Sequence, residues 1–337
     1  MMSRVGVIGG GSWGTALANL LADNGHQVRL WVRDPALART LERERRNPIY
    51  LPGIWISDQI VSGSDMAAVV GDAEVLVSAV PSHATREVME RAVGSLDPEA
   101  LVVSTSKGIE NDTLARMTEV LAEVLPAGAA DRVAVLSGPS FAIEVARGYP
   151  TAVTAAAADL VVAERTRDLF ANPRFRVYTS TDVVGVELGG AVKNIVAIAA
   201  GICDGLRYGN NARAALVTRG IAEIARLGVA LGGEPMTFMG LAGLGDLILT
   251  STTDLSRNRT VGLRVGAGES LEEIQADMRM VAEGVRTTRS VRDLAGRHDV
   301  EMPITEEVHS MLYEGKDPRI SVEDLMTREF KPEFERR

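Results

Sequence analysis

The sequence predicts a mostly parallel α/β domain followed by an all-helical domain, and three observations support this. Short apolar runs alternate with helical patterns as far as about residue 182. A glycine-rich turn directly follows the first apolar run, and strand patterns almost disappear after residue 182. Strands that alternate with helices are typical of βαβ units and a parallel sheet. We therefore expect one domain over residues 1–184 and a second over residues 185–337.

The elements of the first domain are predicted from short aliphatic runs and from the 3.6-residue periodicity between them. The predicted strands are residues 5–8, 28–32, 75–80, 101–104 and 133–136, and residues 151–156 and 175–179 extend the sheet. The predicted helices are residues 12–24, 35–45, 84–93 and 112–125. In the second domain, residues 187–231 are helical, and helical patterns alternate with polar turns from residue 271 onward.

Composition narrows the classes of function. The 337 residues, 46% of them hydrophobic, are enough for a large core. The net charge of −9 and the low aromatic content of 4% argue against broad binding of nucleic acid or of an anionic membrane. An anionic ligand would therefore have to be bound locally, by a few basic side chains.

Cysteine usage and the distribution of apolar residues bear on the compartment. Cys203 is the sole cysteine, which fits a reducing compartment, and no Cys or His cluster has the spacing of metal ligands. The start of the chain is interrupted by glycines too soon for a signal peptide. The most apolar stretch, residues 191–203, contains Lys193 and Asn194. We expect a cytoplasmic protein with no metal and no membrane span.

The glycine-rich turn has the pattern G-x-G-x-x-G at Gly9, Gly11 and Gly14. It follows a predicted strand and opens a predicted helix, which is the context of a Rossmann-type dinucleotide site. Gly9 permits the tight turn, Gly11 lets the backbone approach the pyrophosphate, and Gly14 lets the helix pack near the strand. The pyrophosphate would bind at the helix N-terminus. The alternative is a glycine turn that binds no ligand.

The residues after the second predicted strand leave the choice of nicotinamide cofactor open. Asp34 lies where a carboxylate would bind the ribose hydroxyls of NAD. Arg33 comes first after the strand, where a guanidinium suits the 2′-phosphate of NADP. We expect tolerance of NADP or preference for it, with NAD also possible. The alternative for Arg33 is a solvated surface charge.

Lys193 is the most informative single residue. It lies in residues 188–200, which are apolar on nearly every side and are therefore predicted to form a buried helix. A buried lysine is costly unless it is paired or used, and burial lowers its pKa toward the range that is useful for proton transfer. The alternative is a lysine that extends to the surface. We favour a functional role for Lys193, with Asn194 beside it.

Two segments after predicted strands carry polar groups near glycines. Ligands in an open α/β sheet bind beyond the carboxyl ends of the strands, which places Lys107 to reach a ligand. An ordinary surface lysine remains the alternative. Gly138 and Ser140 follow the next strand and could offer backbone and hydroxyl donors. A strand-to-helix turn with Ser140 as the N-cap is the alternative for this segment.

A third polar segment lies in the helical domain. Ser256 is predicted to cap a helix that begins near Asn258, and a helix start with Arg257 and Asn258 suits a phosphate. Asp246 lies beside small residues and could pair with Lys193, which would orient the lysine and tune its pKa. A loop with surface charges is the alternative.

Two further positions are assigned no role from the residues alone. His83 follows a strand end near the predicted cofactor, where a single histidine is more often packed or solvated than catalytic. Glu283 and Gly284 have the pattern of a turn.

These motifs, taken in order, resemble bacterial NAD(P)-dependent glycerol-3-phosphate dehydrogenase along nearly the full length of the chain. Each matching segment is short, but their joint presence in this order is specific. The matching segments are residues 9–18, 50–53, 79–82, 106–110, 137–142, 189–194, 240–247, 256–259 and 281–284.

The resemblance implies roles for individual residues. Lys193 matches the proton donor and acceptor, which also contacts the substrate. The positions that match the lining of the glycerol-phosphate site are Lys107, Gly138, Ser140, Asp246, Ser256, Arg257 and Asn258, with Asn194 orienting the substrate or the lysine. The positions that match cofactor contacts are Ser12, Trp13, Arg33, Ala142, Arg257, Val281 and Glu283, and Lys107 is placed to touch both ligands.

The resemblance also implies an activity, a cellular compartment and an oligomeric state. It implies reversible hydride transfer between NADPH or NADH and dihydroxyacetone phosphate, giving sn-glycerol 3-phosphate for phospholipid synthesis. It further implies a cytoplasmic homodimer. The nearest rival is a reductase of the same architecture that acts on another hydroxy acid or keto acid. A rival of another class is a dinucleotide-sensing module without turnover, which would not need a lysine buried beside Asn194.

Overall fold

The computed structural model describes residues 2–126, 128–278, 282–330 and 332–333. The strands are β1 (Arg4–Ile8), β2 (Gln27–Trp31), β3 (Arg46–Asn47), β4 (Leu51–Trp55), β5 (Ile60–Gly63), β6 (Val75–Ser78), β7 (Leu101–Ser104), β8 (Val133–Ser137), β9 (Thr151–Ala156) and β10 (Phe175–Ser180).

Helices flank the sheet and make up the rest of the chain. Those of the first half are α1 (Ser12–Asp23), α2 (Pro35–Glu44), α3 (Met66–Val70), α4 (Thr85–Val93), α5 (Met117–Val124), α6 (Ala142–Ala146) and α7 (Leu160–Phe170). Those of the second half are α8 (Val183–Gly205), α9 (Gly209–Ala230), α10 (Pro235–Phe238), α11 (Asp246–Thr252), α12 (Arg257–Gly266), α13 (Leu271–Asp277), α14 (Glu283–Arg297), α15 (Pro303–Tyr313) and α16 (Pro318–Thr327).

Eight strands form one sheet in the order β10-β9-β8-β7-β6-β1-β2-β5. Every neighbouring pair is parallel except β8 and β9, so the predicted mostly parallel sheet is confirmed. Strands β6, β7 and β8 are buried at every position. Their continuous apolar sequence, without alternation, follows from this, because helices cover both faces of the sheet.

Several elements differ from the sequence prediction. The prediction missed β5, α3, α7 and the β3–β4 hairpin. Helix α5 begins at Met117 rather than at residue 112. Leu114 adopts a left-handed conformation with φ of 63°, which cannot continue a helix. The Glu119 carboxylate accepts a hydrogen bond from the Arg116 N–H at 2.8 Å and so fixes the start of α5 after this turn.

Helix α8 is the centre of the helical half. Helices α9, α11, α12 and α14 pack against it. By length and composition it could cross a membrane, with a mean hydropathy of 1.6, but 89% of its most apolar window is buried inside the protein.

The parallel sheet ends with β10, shortly before α8 begins. The domain division at residues 184 and 185 stays a prediction.

Two glycines set the distance between α8 and α12. A Cβ atom at Gly262 would lie 1.9 Å from the carbonyl oxygen of Ile198, and one at Gly201 would lie 2.1 Å from that of Arg259. No other residue fits at this distance, because the opposing atoms belong to the backbone. The start of α12, with Asn258, is thereby held against the middle of α8, with Asn194.

We expect Gly262→Ala to lower the free energy of unfolding by about 1–3 kcal/mol, because the added methyl group forces α12 away from α8. Urea unfolding followed by circular dichroism measures this. Gly296→Ala is the matched control, since a Cβ atom there meets nothing within 4 Å in the described structure. It should raise stability by about 0.5–1 kcal/mol through helix propensity. Equal changes in both variants would contradict close packing at Gly262.

Candidate active site

The loops that follow β1, β6, β7 and β8 meet at the carboxyl edge of the sheet, where open α/β sheets bind ligands. Lys107 lies in the loop after β7 and Gly138 in the loop after β8, and these strands are neighbours. The stem of Lys107 packs beside Gly190 of α8, where a Cβ atom would lie 3.6 Å from its Cγ. The carboxyl edge of the sheet therefore packs against α8 at Gly190, which lies one helical turn before Lys193.

A single carboxylate joins the two lysines of this edge. One oxygen of Asp246, Oδ1, accepts a hydrogen bond from Lys193 Nζ at 2.5 Å. The other, Oδ2, accepts one from Lys107 Nζ at 2.6 Å. The predicted pairing of Asp246 with Lys193 is therefore present. The attachment of Lys107 to the same carboxylate was not predicted.

Lys193 is buried, with only 6% of its surface exposed, so the alternative of a lysine that extends to solvent is wrong. Its Nζ also donates to Thr250 Oγ1 at 2.6 Å. Sequence analysis missed Thr250, although it lies one helical turn after Asp246 and so on the same face of α11. An ammonium has three N–H donors. Two are used by Asp246 and Thr250, and the third is available to a substrate oxygen.

Charge and burial set the protonation of this cluster. Burial lowers the pKa of Lys193 to about 8, against the opposing effect of Asp246 and with a further contribution from Lys107. Burial favours the neutral form of Asp246, but the two lysines outweigh it and lower the pKa of this carboxyl. Lys193 can therefore gain and lose a proton near neutral pH while Asp246 stays ionised.

A second hydrogen-bond chain lies beside the lysines. Asn258 Nδ2 donates to Asn194 Oδ1 at 2.9 Å, and Asn258 Oδ1 accepts from the Gly284 N–H at 2.9 Å. Asn194 therefore contacts Asn258 rather than Lys193, whose orientation comes from Asp246 and Thr250. These bonds hold the starts of α12 and α14 against α8.

The start of α12 carries the predicted phosphate residues. Ser256 is its N-cap, as predicted, and accepts a hydrogen bond from the Arg259 N–H at 3.2 Å. Arg257 is the first helical residue and is exposed. The guanidinium of Arg259 donates to Asp204 Oδ2 at 2.7 and 2.9 Å, which ties this turn to the end of α8. The N-terminus of α12 is thus fixed in place with Arg257 presented to solvent.

The loop after β8 rules out one of the two sequence interpretations, the N-cap at Ser140. The carbonyl oxygen of Gly138 accepts from Lys107 Nζ at 3.1 Å and from Ser140 Oγ at 2.9 Å. The carbonyl of Gly138 is thus an internal acceptor, which the sequence did not indicate, and the predicted donation by Gly138 and Ser140 to a ligand stays a prediction. Ser140 is not an N-cap, because α6 begins after Phe141 and its cap makes no side-chain hydrogen bond. Ala142 is the first residue of α6.

The glycine loop has the geometry that its sequence predicts. Gly9 has φ of 119°, which favours glycine. A Cβ atom at Gly14 would lie 1.9 Å from the carbonyl oxygen of Gly9, so the helix could not pack against the strand with any larger residue. The side chain of Asn47, which sequence analysis did not single out, donates to the Gly10 carbonyl at 2.9 Å and braces the loop.

Two observations test whether this loop fits a dinucleotide. A Cβ atom at Gly11 would meet nothing within 4 Å in the described structure, which leaves room for close approach of a pyrophosphate. The buried Nε1 of Trp13 has no hydrogen-bond partner among the described residues. Ser12 donates its hydroxyl to the Tyr50 carbonyl and begins α1. The loop therefore fits a dinucleotide at the N-terminus of α1.

The remaining predicted cofactor residues occupy different places. Glu283 accepts a hydrogen bond from the Ser82 N–H at 3.2 Å, and it begins α14, so the predicted turn at this position is wrong. Burial raises the pKa of Glu283, against this hydrogen bond and the charges of Arg257 and Lys107. Arg33 lies exposed after β2. Val281 lies outside the described residues.

The described part of the chain contains no group of three or more His, Cys, Asp or Glu side chains that could hold a metal ion. The groups at this edge that can take part in a reaction are a lysine of lowered pKa, the carboxylate that holds it, and the first turn of a helix that carries an arginine.

Comparison with known proteins agrees with this geometry. Residues 4–163 match the family model of the NAD-dependent glycerol-3-phosphate dehydrogenase N-terminus, and residues 182–323 match that of the C-terminus. A curated relative from Syntrophobacter fumaroxidans, named glycerol-3-phosphate dehydrogenase [NAD(P)+], is 52% identical, covering 98% of this chain and 97% of its own. A relative of the same name from Citrifermentans bemidjiense is 53% identical, covering 99% of each chain.

Solved structures show the same similarity. The crystal structure of glycerol-3-phosphate dehydrogenase from Coxiella burnetii superposes with a TM-score of 0.92 at 40% identity, covering 97% of this chain and 99% of its own. A ketopantoate reductase from Ralstonia eutropha superposes with a TM-score of 0.58 at 16% identity, covering 96% of this chain and 99% of its own. The second likeness concerns the fold alone.

We expect Asp246→Asn to lower the free energy of unfolding by about 3–5 kcal/mol, because two lysines lose their buried counter-charge. The measurement is urea unfolding at neutral pH. Asp254→Asn is the control, since the Asp254 side chain is 98% exposed although it pairs with Arg259. Its effect should stay below about 1 kcal/mol. A loss at Asp246 no larger than that of the control would show that the carboxylate does not hold the cluster together.

Proposed function

Because this chain belongs to the NAD-dependent glycerol-3-phosphate dehydrogenase family, we propose that it interconverts dihydroxyacetone phosphate and sn-glycerol 3-phosphate with NADPH or NADH. The observation that carries the proposal is the buried cluster of Lys107, Asp246 and Lys193 at the carboxyl edge of the sheet. It offers a proton donor and a positive charge where a carbonyl substrate would meet the dinucleotide loop.

Lys193 is the acid and base of this reaction. In reduction, its Nζ–H polarises the C2 carbonyl and transfers a proton to that oxygen as negative charge develops there. In oxidation, neutral Lys193 accepts the proton of the C2 hydroxyl. A pKa of about 8 makes both forms accessible near neutral pH. Asp246 and Thr250 fix the direction of the ammonium, so little reorganisation is needed.

Lys107 has a supporting role at the same carbonyl. Its ammonium is held by Asp246 and by the Gly138 carbonyl, and its positive charge lies next to that of Lys193. This charge stabilises a developing alkoxide, and it adds to the larger effect of burial in lowering the pKa of Lys193. Because it extends from the sheet edge, Lys107 is also placed beside the predicted dinucleotide site.

The phosphate of the substrate binds at the start of α12. The free N–H groups of a helix N-terminus attract an anion, and Arg257 adds a guanidinium. Ser256 and Asn258 shape this turn, and Asn194 fixes Asn258 in place. Ser140, whose hydroxyl bonds the Gly138 carbonyl, closes the site on the sheet side. These groups position the substrate rather than react with it.

The glycine loop, with Gly9, Gly11 and Gly14, would hold the pyrophosphate of the cofactor. When bound, the reduced nicotinamide supplies the hydride that adds to C2 of dihydroxyacetone phosphate. The further residues proposed to contact the cofactor are Ser12, Trp13, Arg33, Lys107, Ala142, Arg257, Val281 and Glu283. The buried Nε1 of Trp13 and the open approach to Gly11 support this assignment.

We also propose that residues 1–184 form the dinucleotide domain and residues 185–337 the catalytic domain. The family further supports a homodimer in the cytoplasm whose product enters glycerophospholipid synthesis. The separate family models for the N-terminal and C-terminal regions support the two-domain division.

The activity itself is tested by the decay of NADPH absorbance with dihydroxyacetone phosphate. We expect fast decay with this substrate and a loss of kcat/KM of about 100-fold or more with unphosphorylated dihydroxyacetone, because binding of the phosphate dianion is lost. A 2-keto acid panel serves as the comparison. Faster turnover of a keto acid than of the triose phosphate would move the assignment to another reductase of the same architecture.

The role of Lys193 predicts opposite pH profiles for the two directions. For reduction, kcat/KM should be constant below pH 8 and fall above it, because only the protonated lysine donates. For oxidation, kcat/KM should rise as the pH increases through 8, because only the neutral lysine accepts. Lys193→Met keeps the apolar stem, should lower kcat by about 10²–10⁴-fold and should remove the break in both profiles.

Cofactor affinity of the Lys193→Met protein, measured by fluorescence, is the control for folding. Near-normal kcat, or an unchanged break in the pH profile, would remove Lys193 from the acid–base role.

A further inference from the structure

Helix α8 carries a second buried ionisable side chain, Glu187, which the proposed reaction does not use. Only 6% of its surface is exposed. Its Oε2 accepts hydrogen bonds from Arg116 Nη1 at 2.8 Å and from Thr118 Oγ1 at 2.6 Å. Its Oε1 accepts the Thr118 N–H at 2.8 Å, one of the free donors at the start of α5. The carboxylate of Glu187 therefore ties the start of α5 to α8.

The same face of α8 also meets Lys107. Gly190 lies three residues after Glu187, so the two positions share one face of the helix. The stem of Lys107 packs at Gly190, and Arg116 is bound at Glu187. Residues 105–116, the β7–α5 connection, contain both Lys107 and Arg116. This connection is therefore held against α8 at two points that are one helical turn apart.

Hydrogen bonds within the β7–α5 connection link these two points. Ile109 and Arg116 form an antiparallel bridge. Beside it, the Glu110 N–H donates to the Ala115 carbonyl at 3.0 Å. The arm that ends at Arg116 is thus paired with the arm that follows Lys107. A displacement of Arg116 from α8 would therefore also displace Lys107.

The position of Lys107 matters because its charge acts on Lys193. The charged groups that face Lys193 are Asp246 from α11, Lys107 from the β7–α5 connection and Glu283 from α14. Burial lowers the pKa of Lys193 most, Lys107 lowers it further, and Asp246 and Glu283 oppose the shift. The repulsion between two like charges falls as their separation grows. Movement of Lys107 away from Lys193 would therefore raise the pKa of Lys193.

We propose that Glu187 is a positioning residue of the reaction, which holds Lys107 at Asp246 and close to Lys193 by fixing the β7–α5 connection to α8. The inference rests on the proposed acid–base role of Lys193. Glu187 acts through Lys107 rather than on the reacting atoms. Without this anchor, the charge that Lys107 supplies beside the reacting carbonyl would be misplaced.

The test follows the lysines directly, by NMR of protein labelled with ¹³C-lysine. The chain has only four lysines, so few side-chain signals need to be assigned, and Lys193→Met identifies that of Lys193. In Glu187→Gln, the titration midpoint of Lys193 should rise from about 8 by about half a pH unit or more, because a like charge has moved away. The titration uses no substrate or cofactor, so a failed dehydrogenase assay would count against the proposed reaction without affecting this result.

Glu223→Gln is the matched control. Glu223 is a buried carboxylate on α9 that accepts the N–H groups of Ile304 and Thr305, each at 2.9 Å. Burial raises the pKa of both Glu187 and Glu223. The control thus removes a similar carboxylate, but one that holds the start of α15 instead of the β7–α5 connection. It should leave the midpoint of Lys193 unchanged. An equal rise in both variants would mean general loosening of the helical half, and the proposal would fail.

Kinetics and a second variant complete the test. Glu187→Gln should lower kcat about tenfold, and the break in the pH profile of kcat/KM for reduction should move upward with the Lys193 midpoint. Arg116→Gln breaks the same ion pair at a partly exposed residue, and should raise the midpoint as well. The double variant should add little to either single change, because one interaction is lost in all three. An unchanged Lys193 midpoint in a folded Glu187→Gln or Arg116→Gln protein, with folding checked by circular dichroism, would overturn the proposal.

Discussion

The site depends on one carboxylate that binds two ammonium groups. Asp246 is fully enclosed, and each of its oxygens accepts a hydrogen bond from a different lysine. Two cations and one anion leave the buried cluster with an excess of positive charge. Burial is the main reason why the pKa of Lys193 is lowered to about 8, and the charge of Lys107 lowers it further although Asp246 opposes the shift. The lowered pKa that the reaction needs therefore comes from the enclosure of the site, whereas the ion pairs with Asp246 hold the site together.

This arrangement requires backbones to approach more closely than most residues allow. Gly190 lets the stem of Lys107 and the β8 end lie against α8, since a Cβ atom there would be 2.7 Å from Ser137 Oγ. Gly262 does the same between α12 and α8. Some of the 33 glycines therefore lie where α8 meets the sheet edge and where it meets α12. Small residues at these contacts set the distances between the charged groups.

The sequence predicted those parts of the site that depend on residues close together in the chain. Burial of Lys193 follows from an apolar segment, the cap at Ser256 follows from its neighbours, and the glycine loop follows from its spacing. Asp246, which lies beside small residues in the sequence, was expected as a possible partner of Lys193. The contact of Lys107 with Asp246, and the acceptor role of the Gly138 carbonyl, join residues far apart in the chain. The spacing of residues along the chain does not predict such long-range contacts, so only the structure showed them.

The same reasoning explains how an acidic protein can bind two anionic ligands. At physiological ionic strength, charges are screened beyond about 8 Å, so the overall charge of −9 has little influence inside the crevice. Short-range groups decide recognition there. Lys107 and Lys193 carry positive charge at the carboxyl edge of the sheet, and Arg257 carries it at the start of α12.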